Sequence, residues 1–300
     1  MDSTLRTIGG REKTSPPVRP EYIVDKINSS PVTDVERPLS TVARVTQNPA
    51  VRRIFVLVLL GALWQAYATY LDNALTFPKL SAVIDALVTD LASGLLLDRI
   101  GITLRVLLLG YAIGIALAGA ITIMASTTRF GSDVLSTLTA MFNPLPSIAL
   151  LPLALIWFGL GTFSLVFVII HSVLWTVALN THSGFQSVSD TLRMAGRNFG
   201  LKRTRLVFGV LIPAALPSII SGLKIGWAFA WRTLIAAELV FGASSGKGGV
   251  GWYIFESRNN LETANTFAGL LCVILIGLAV ELLVFRTLEV RTVRRWGMQK

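Results

Sequence analysis

The chain holds a single cysteine, Cys272, in 300 residues, and that residue lies inside an apolar run. One thiol excludes an intrachain disulfide and a cysteine-based metal framework. Histidine is almost as scarce. His171 and His182 stand eleven positions apart with no cysteine or carboxylate set around them, which suits packed or interfacial rings better than metal ligands or a proton relay. Charged residues make up only 15% of the chain, 17 acidic against 27 basic. No catalytic constellation emerges from so few polar groups, so neither enzyme activity nor a cofactor is expected.

What fills the chain instead is apolar. With 53% hydrophobic residues and a mean hydropathy of +0.64, it has more greasy surface than one soluble core can hide, and it belongs in a bilayer. The net charge of +10 raises nucleic acid as a partner, but a membrane protein gathers Lys and Arg on its cytoplasmic side for orientation alone. The first residues differ from the rest. Residues 1–53 carry prolines at 16, 17, 20, 31, 38 and 49, scattered charges and no apolar periodicity, the pattern of a mostly disordered cytoplasmic tail.

Apolar runs long enough for about 30 Å of hydrocarbon occur near 54–71, 102–125, 134–158, 163–180, 214–240 and 266–285, which predicts six spans. Counting Lys and Arg with the N-terminus inside gives twenty on the cytoplasmic segments against four on the outer ones. Both termini are therefore expected in the cytoplasm, with residues 286–300 as a short C-terminal tail. The segment 54–101 divides into the first span and an amphipathic helix over SAVIDALVTDLASGLLL. There Val83, Ile84, Leu87, Val88 and Leu91 oppose Asp85, Thr89 and Asp90, which suits a helix lying on the outer interface. The third run contains NPLPSIALLP. Pro144, Pro146 and Pro152 each remove a backbone donor, which fits either a kinked helix packed on a neighbour or a helix break lining a translocation path.

Between the fourth and fifth runs, within a permease core expected over 102–285, the loop 187–213 reads as ordered. Ser187 or Ser189 can cap a helix running to about Phe199, Gly200 suits a left-handed terminator, and Leu206, Val207, Val210 and Leu211 give the next helix an apolar face before Pro213. Helix, glycine turn and helix also describe a DNA-reading motif, but here the second helix leads into a membrane span, and topology already explains the basic charge. GKGGVG at 246–251 matches a dinucleotide fingerprint by letters only, since it follows a membrane helix on the outer side. A Walker A loop fails because Gly248 follows Lys247. These glycines read as a re-entrant or extended outer loop.

At the internal loop the sequence resembles the permease subunits of ATP-binding-cassette importers of the nitrate, sulfonate and taurine type. The family signature is Glu-Ala-Ala, three residues, Gly, nine residues and Ile-x-Leu-Pro. Here Met194-Ala195-Gly196, Gly200 and Val210-Leu211-Ile212-Pro213 keep the spacing without the glutamate. PLPSIALLPLALIWFGLG at 144–161, ALNTHSGFQSV at 178–188 and AAELVFGASSGKGGVG at 236–251 resemble the same family, so the likeness runs over roughly 75–290.

The resemblance implies an all-α integral membrane protein with six transmembrane helices, a type I importer-like permease of the bacterial inner membrane. Met194, Ala195, Gly196, Gly200 and Pro213 would belong to a coupling helix docked on separate cytoplasmic ATPase subunits. The small residues would permit close backbone approach. A periplasmic or lipid-anchored solute-binding protein, a second permease copy and membrane lipid complete the expected partners, with no nucleic acid among them.

Charges within the spans are costly unless paired or wetted, which makes Arg105, Lys224, Arg232 and Glu238 candidates for the path. Lys224, Trp231 and Glu238 repeat every seven residues, nearly one stripe, with Arg232 rotated about 80° from Lys224. One of these faces lines the path and the other holds an internal ion pair. A cationic lining suits a small anion such as a sulfonate or nitrate; pairing of Arg232 with Glu238 or backbone carbonyls is the structural alternative. A secondary transporter without an ATPase is the rival class. It is disfavoured because Glu238 and Glu281 are the only carboxylates in the spans.

Overall fold

The computed structural model describes residues 48–241 and 248–294. The expected tail over 1–47 and the glycine-loop residues 242–247 lie outside the described residues, as does the end of the C-terminal tail, 295–300. The chain forms two compact units, residues 1–57 and 58–300. Of the first, the described part is the opening of helix α1.

Among the described residues every regular element is helical: α1 Pro49–Leu71, α2 Leu80–Ala92, α3 Leu95–Ala125, α4 Arg129–Phe142, α5 Leu151–Phe158 and α6 Thr162–Gln186. After these come α7 Asp190–Asn198, α8 Thr204–Ala214, α9 Leu216–Phe241, α10 Val250–Asn259 and α11 Thr263–Thr292. Four helices, α1, α3, α6 and α11, are long and apolar enough to cross a bilayer unaided. Two bent pairs, α4 with 147–158, turned by 86°, and α8 with α9, turned by 77°, raise the number to as many as six when each pair counts as one span. The third span is thus broken at the prolines, and the fifth is one helix with a sharp bend at its start, before Leu216.

Helix bounds correct the sequence reading elsewhere. α1 begins at Pro49, so residues 49–53 belong to the helix and not to the tail. Residues 286–292 likewise continue α11. The amphipathic helix ends at Ala92, because Gly94 adopts φ +82° and the following leucines open α3. Its Val83 and Leu87 are buried where the helix packs against α11, while Ile84 and Val88 stay exposed. Asp90, expected on the polar face, lies seven residues from Val83 and so shares its stripe. Its carboxylate accepts from the Tyr253 hydroxyl and, at 3.2 Å, from Asn265 Nδ2. Burial and the adjacent Asp90 hold the Tyr253 phenol above its usual range, so it stays a donor.

α6 is the central helix, buried along its length against α3 and α9, whereas α1 buries one residue, Ala68, and turns its apolar surface outward. Close packing comes from small residues at the contacts. A Cβ on Gly110 would lie 2.7 Å from Ile169 Cγ2, and one on Gly114 2.8 Å from Val173 Cβ. Gly184 and Gly222 bring α6 and α9 together in the same way, with Ser218 Cβ and Asn180 Cβ at 2.6 and 2.7 Å. Gly114→Leu is expected to push α3 off α6 and destabilise the bundle by about 1–3 kcal/mol. The check is the thermal unfolding midpoint in detergent beside Gly119→Leu, whose Cβ position has nothing within 4 Å. Equal midpoints for the two variants would refute this packing.

Candidate functional site

The break after α4 shapes a cleft. Asn143 caps α4, and Pro144 and Pro146 cannot donate to the preceding turn, so the backbone leaves helical geometry before a 3-10 turn at Ser147–Leu150. Around the break lies a cleft of about 370 Å³ bordered by Asn143, His171, Trp175, Thr176 and Arg232. Phe142 stacks on Trp175 with centroids 4.9 Å apart and forms an apolar wall. Opposite polar groups hold the break in place. Thr176 Oγ1 donates to Asn143 Oδ1 at 3.3 Å, and Ser147 Oγ lies 3.0 Å from His171 Nδ1. His171 Nε2 is buried without a partner among the described residues. Both histidines bond to hydroxyls, His182 through Nε2 to Ser132 at 3.1 Å.

The intramembrane charges differ in their partners. Lys224 pairs with Glu281 at 2.5 Å and Glu289 at 3.6 Å on α11, Trp231 is buried, and Glu238 is 2% exposed. Glu238 thus faces protein, whereas Lys224 and Trp231 border, with Arg232, a second cleft of about 420 Å³ against α11. Arg232 also borders the cleft at the break, and among the described residues no ion pair involves it. Arg105 is exposed on α3 and does not border this cleft.

Glu238 has a different partner set from the arginine weighed in the sequence. Thr103 Oγ1 donates to its carboxylate at 3.1 Å, and the Gly251 amide donates to Oε2 at 2.8 Å. Thr103 Oγ1 in turn accepts from the Val250 amide at 2.8 Å. A buried carboxylate thus caps the start of α10, where unbonded amides and the helix dipole favour negative charge. Arg99 closes the same corner, donating to Gly248 O at 2.9 Å and pairing with Glu256 at 3.1 Å. The glycine loop is therefore followed by a ten-residue helix latched to α3 and α9. Sequence reading missed Thr103 and α10; the paired glycines before Val250 were the available sign of close approach.

The α7–α8 loop follows its expected local rules. Ser189, not Ser187, caps α7, accepting from the Leu192 amide at 3.4 Å. At the other end Gly200 has φ +81°, with its amide donating to Arg197 O at 2.9 Å and the Leu201 amide to Gly196 O at 3.1 Å. This pair of bonds is the Schellman closure, which needs a left-handed residue at this point. Met194 is 56% exposed and Ala195 half-buried. Gly196 is buried, contrary to a role in approaching a partner: its Cβ would meet Leu206 Cδ1 and Val210 Cγ2 at 2.9 Å, so its smallness serves α8. Leu206, Val207 and Leu211 are buried as expected. Pro213, half-buried, follows a π turn at Val207–Leu211 and precedes the 77° bend, so α8 does not run straight into α9.

A membrane-crossing helical bundle with a largely apolar cleft at a broken helix, bordered by Arg232, and a capped helix exposed at one end, is the architecture of a multi-pass permease. The chain belongs to the family described as binding-protein-dependent transport system inner membrane component, which matches residues 107–289. It is 30% identical over 240 residues to an ABC transporter permease protein of Methanocaldococcus jannaschii, covering 78% of this chain and 87% of that one. The taurine transport system permease protein TauC of Escherichia coli is 30% identical over 240 residues, with 75% and 82% covered. The nitrate import permease protein NrtB of Synechocystis is 30% identical over 169 residues, with 56% and 58% covered.

Proposed function

We propose that this chain is the membrane-spanning subunit of an ATP-driven importer, that α7 docks on separate cytoplasmic ATPase subunits, and that two copies of the permease enclose the path. The observation that carries the reading is α7 itself. A nine-residue helix closed at both ends, exposed at Met194 and held to α8 through Gly196, is a rigid handle rather than a linker. Force on it passes directly to the membrane helices. Arg193 Nε donates to Val188 O at 3.1 Å, and another guanidinium nitrogen donates to Phe185 O at the end of α6. The basic residues around α7 support a cytoplasmic position for this end and for both termini. A binding protein, periplasmic or lipid-anchored, delivers the solute from the opposite side.

The solute is a small anion of the sulfonate, taurine or nitrate kind. Arg232 supports this, as a cation at the cleft beside the Asn143 side-chain amide, in line with the names of the relatives. Lys224, Trp231 and Glu238 are assigned to the framework, and Arg105 stands apart from the cleft. The test is co-purification of an ATPase with the tagged permease, followed by ATP-dependent uptake in proteoliposomes. Arg232→Gln is expected to lower uptake at least about ten-fold, the worth of a hydrogen bond to a charged group. Assembly and basal ATP hydrolysis should persist. Collapse of the complex instead would make Arg232 a structural residue.

A further inference from the structure

Two adjoining clefts at the α7 end of the bundle lie outside the proposed path. One, of about 580 Å³, runs between the start of α4, the end of α6 and α7; the other, of about 290 Å³, continues beneath the α7–α8 turn. They share Arg193 and Arg197, and Arg129, Lys202 and Arg203 complete a set of five cations against one lining carboxylate, Asp190. Among the described residues none of the five forms an ion pair. Arg193 is immobilised by the carbonyls of Phe185 and Val188, so its charge is fixed in the floor. The start of α4 borders the larger cleft; Thr128 Oγ1 caps its Gly131 amide, and the amides of Arg129 and Phe130 have no helical acceptor. The same cleft is bordered by His182, 5% exposed, whose Nδ1 is buried without a partner among the described residues.

Concentrated positive charge beside unbonded donors recruits an anion. The neighbouring apolar surface says which kind. Met124, at the end of α3, is 72% exposed, and Phe130, beside Arg129, is 79% exposed. Neither lies on α7, and both stand where the membrane helices end. Apolar side chains next to arginines suit the boundary between headgroups and acyl chains, where cationic tips reach the phosphate while apolar groups stay in the lipid. A free inorganic anion gains nothing from such a rim.

We propose that this basin binds the phosphate headgroup of an anionic phospholipid in the cytoplasmic leaflet and so ties the base of α7 to the membrane surface. The inference rests on the permease reading for its orientation. Its test uses the full-length permease purified with its ATPase in nanodiscs of phosphatidylethanolamine, with or without phosphatidylglycerol. Native mass spectrometry then counts the lipids retained on the permease.

Retention of phosphatidylglycerol over phosphatidylethanolamine is expected. It should fall about five-fold with each of Arg129→Gln and Arg197→Gln, the worth of one basic residue near an anionic surface. Arg258→Gln, at the opposite end of the bundle, should leave it unchanged. Unaltered retention in both basin variants overturns the site. Complete displacement of the lipid by millimolar inorganic phosphate makes it a free-anion site and overturns the lipid assignment. Loss of ATPase association in Arg129→Gln with lipid retention intact marks the basin as a protein contact and also overturns it. Failure of the wild-type permease to bring down any ATPase sinks the permease reading separately, because the lipid count is read on the permease itself.

Discussion

Alanine at Gly249 is expected to abolish uptake and to destabilise the permease, although the substitution adds one methyl group. The methyl carbon would lie 2.0 Å from Thr103 Oγ1 and 2.3 Å from Glu238 Oε1. Neither neighbour is a loose end: Thr103 is fully buried and Glu238 nearly so. Relief requires the carboxylate to leave the amide of Gly251 and the hydroxyl of Thr103, or α10 to lift from α3 and α9. The first route leaves a buried carboxyl group without its hydrogen bonds, at a cost of about 1–3 kcal/mol. The second unlatches the corner that Arg99 also closes. Gly161→Ala is the control, since its Cβ position has nothing within 4 Å and its backbone is extended. Thermal unfolding of the purified permease and uptake in proteoliposomes read the two consequences. A Gly249→Ala protein with the control's midpoint and uptake would mean that the glutamate cradle is not what holds α10.

This corner also shows what the sequence could and could not reveal. Long apolar runs are legible because a membrane helix needs about 20 consecutive apolar residues, and α1, α3, α6 and α11 follow from that rule alone. The NPLP break was legible too, through its missing donors. The turn between α8 and α9 was not, because VLIPAALPSII is almost wholly apolar and hydropathy passes over Ala215 without a mark. α10 was hidden for the opposite reason. VGWYIFESRN has no apolar run, and what fixes its start is Glu238, twelve positions before Val250. Period alone also misplaced Asp90, whose stripe is decided by the α11 surface it meets. For the charged residues, spacing alone does not say what each meets: Lys224 and Arg232 border one cleft, and only the positions of Glu281 and Glu289 show that Lys224 is paired. Gly196 and Gly200 carry the same letter for unlike reasons, one steric contact and one dihedral angle.

That difference makes Gly200→Val a selective test of transmission. The space around Gly200 is open, with nothing within 4 Å of a Cβ, so no clash contributes. The whole effect comes from φ +81°, which a β-branched residue tolerates poorly, at about 1–3 kcal/mol. Valine must carry that strain or abandon the Schellman bonds to Gly196 O and Arg197 O, and the end of α7 then re-aims. A penalty of this size corresponds to roughly a five- to hundredfold loss of the docking-competent conformation. Gly200→Val should therefore leave the spans inserted and Arg232 at its cleft, yet weaken ATPase association or lower the solute moved per ATP hydrolysed. Gly200→Asn separates geometry from side-chain identity, because asparagine enters the left-handed region more readily than other residues. It is expected to recover most of the coupling that valine loses. ATPase co-purification and the ratio of uptake to hydrolysis in proteoliposomes provide the measurement. If valine matches wild type in both, the left-handed turn carries no coupling; if asparagine fails as badly as valine, the site senses any side chain, and contact with the ATPase rather than backbone strain governs it.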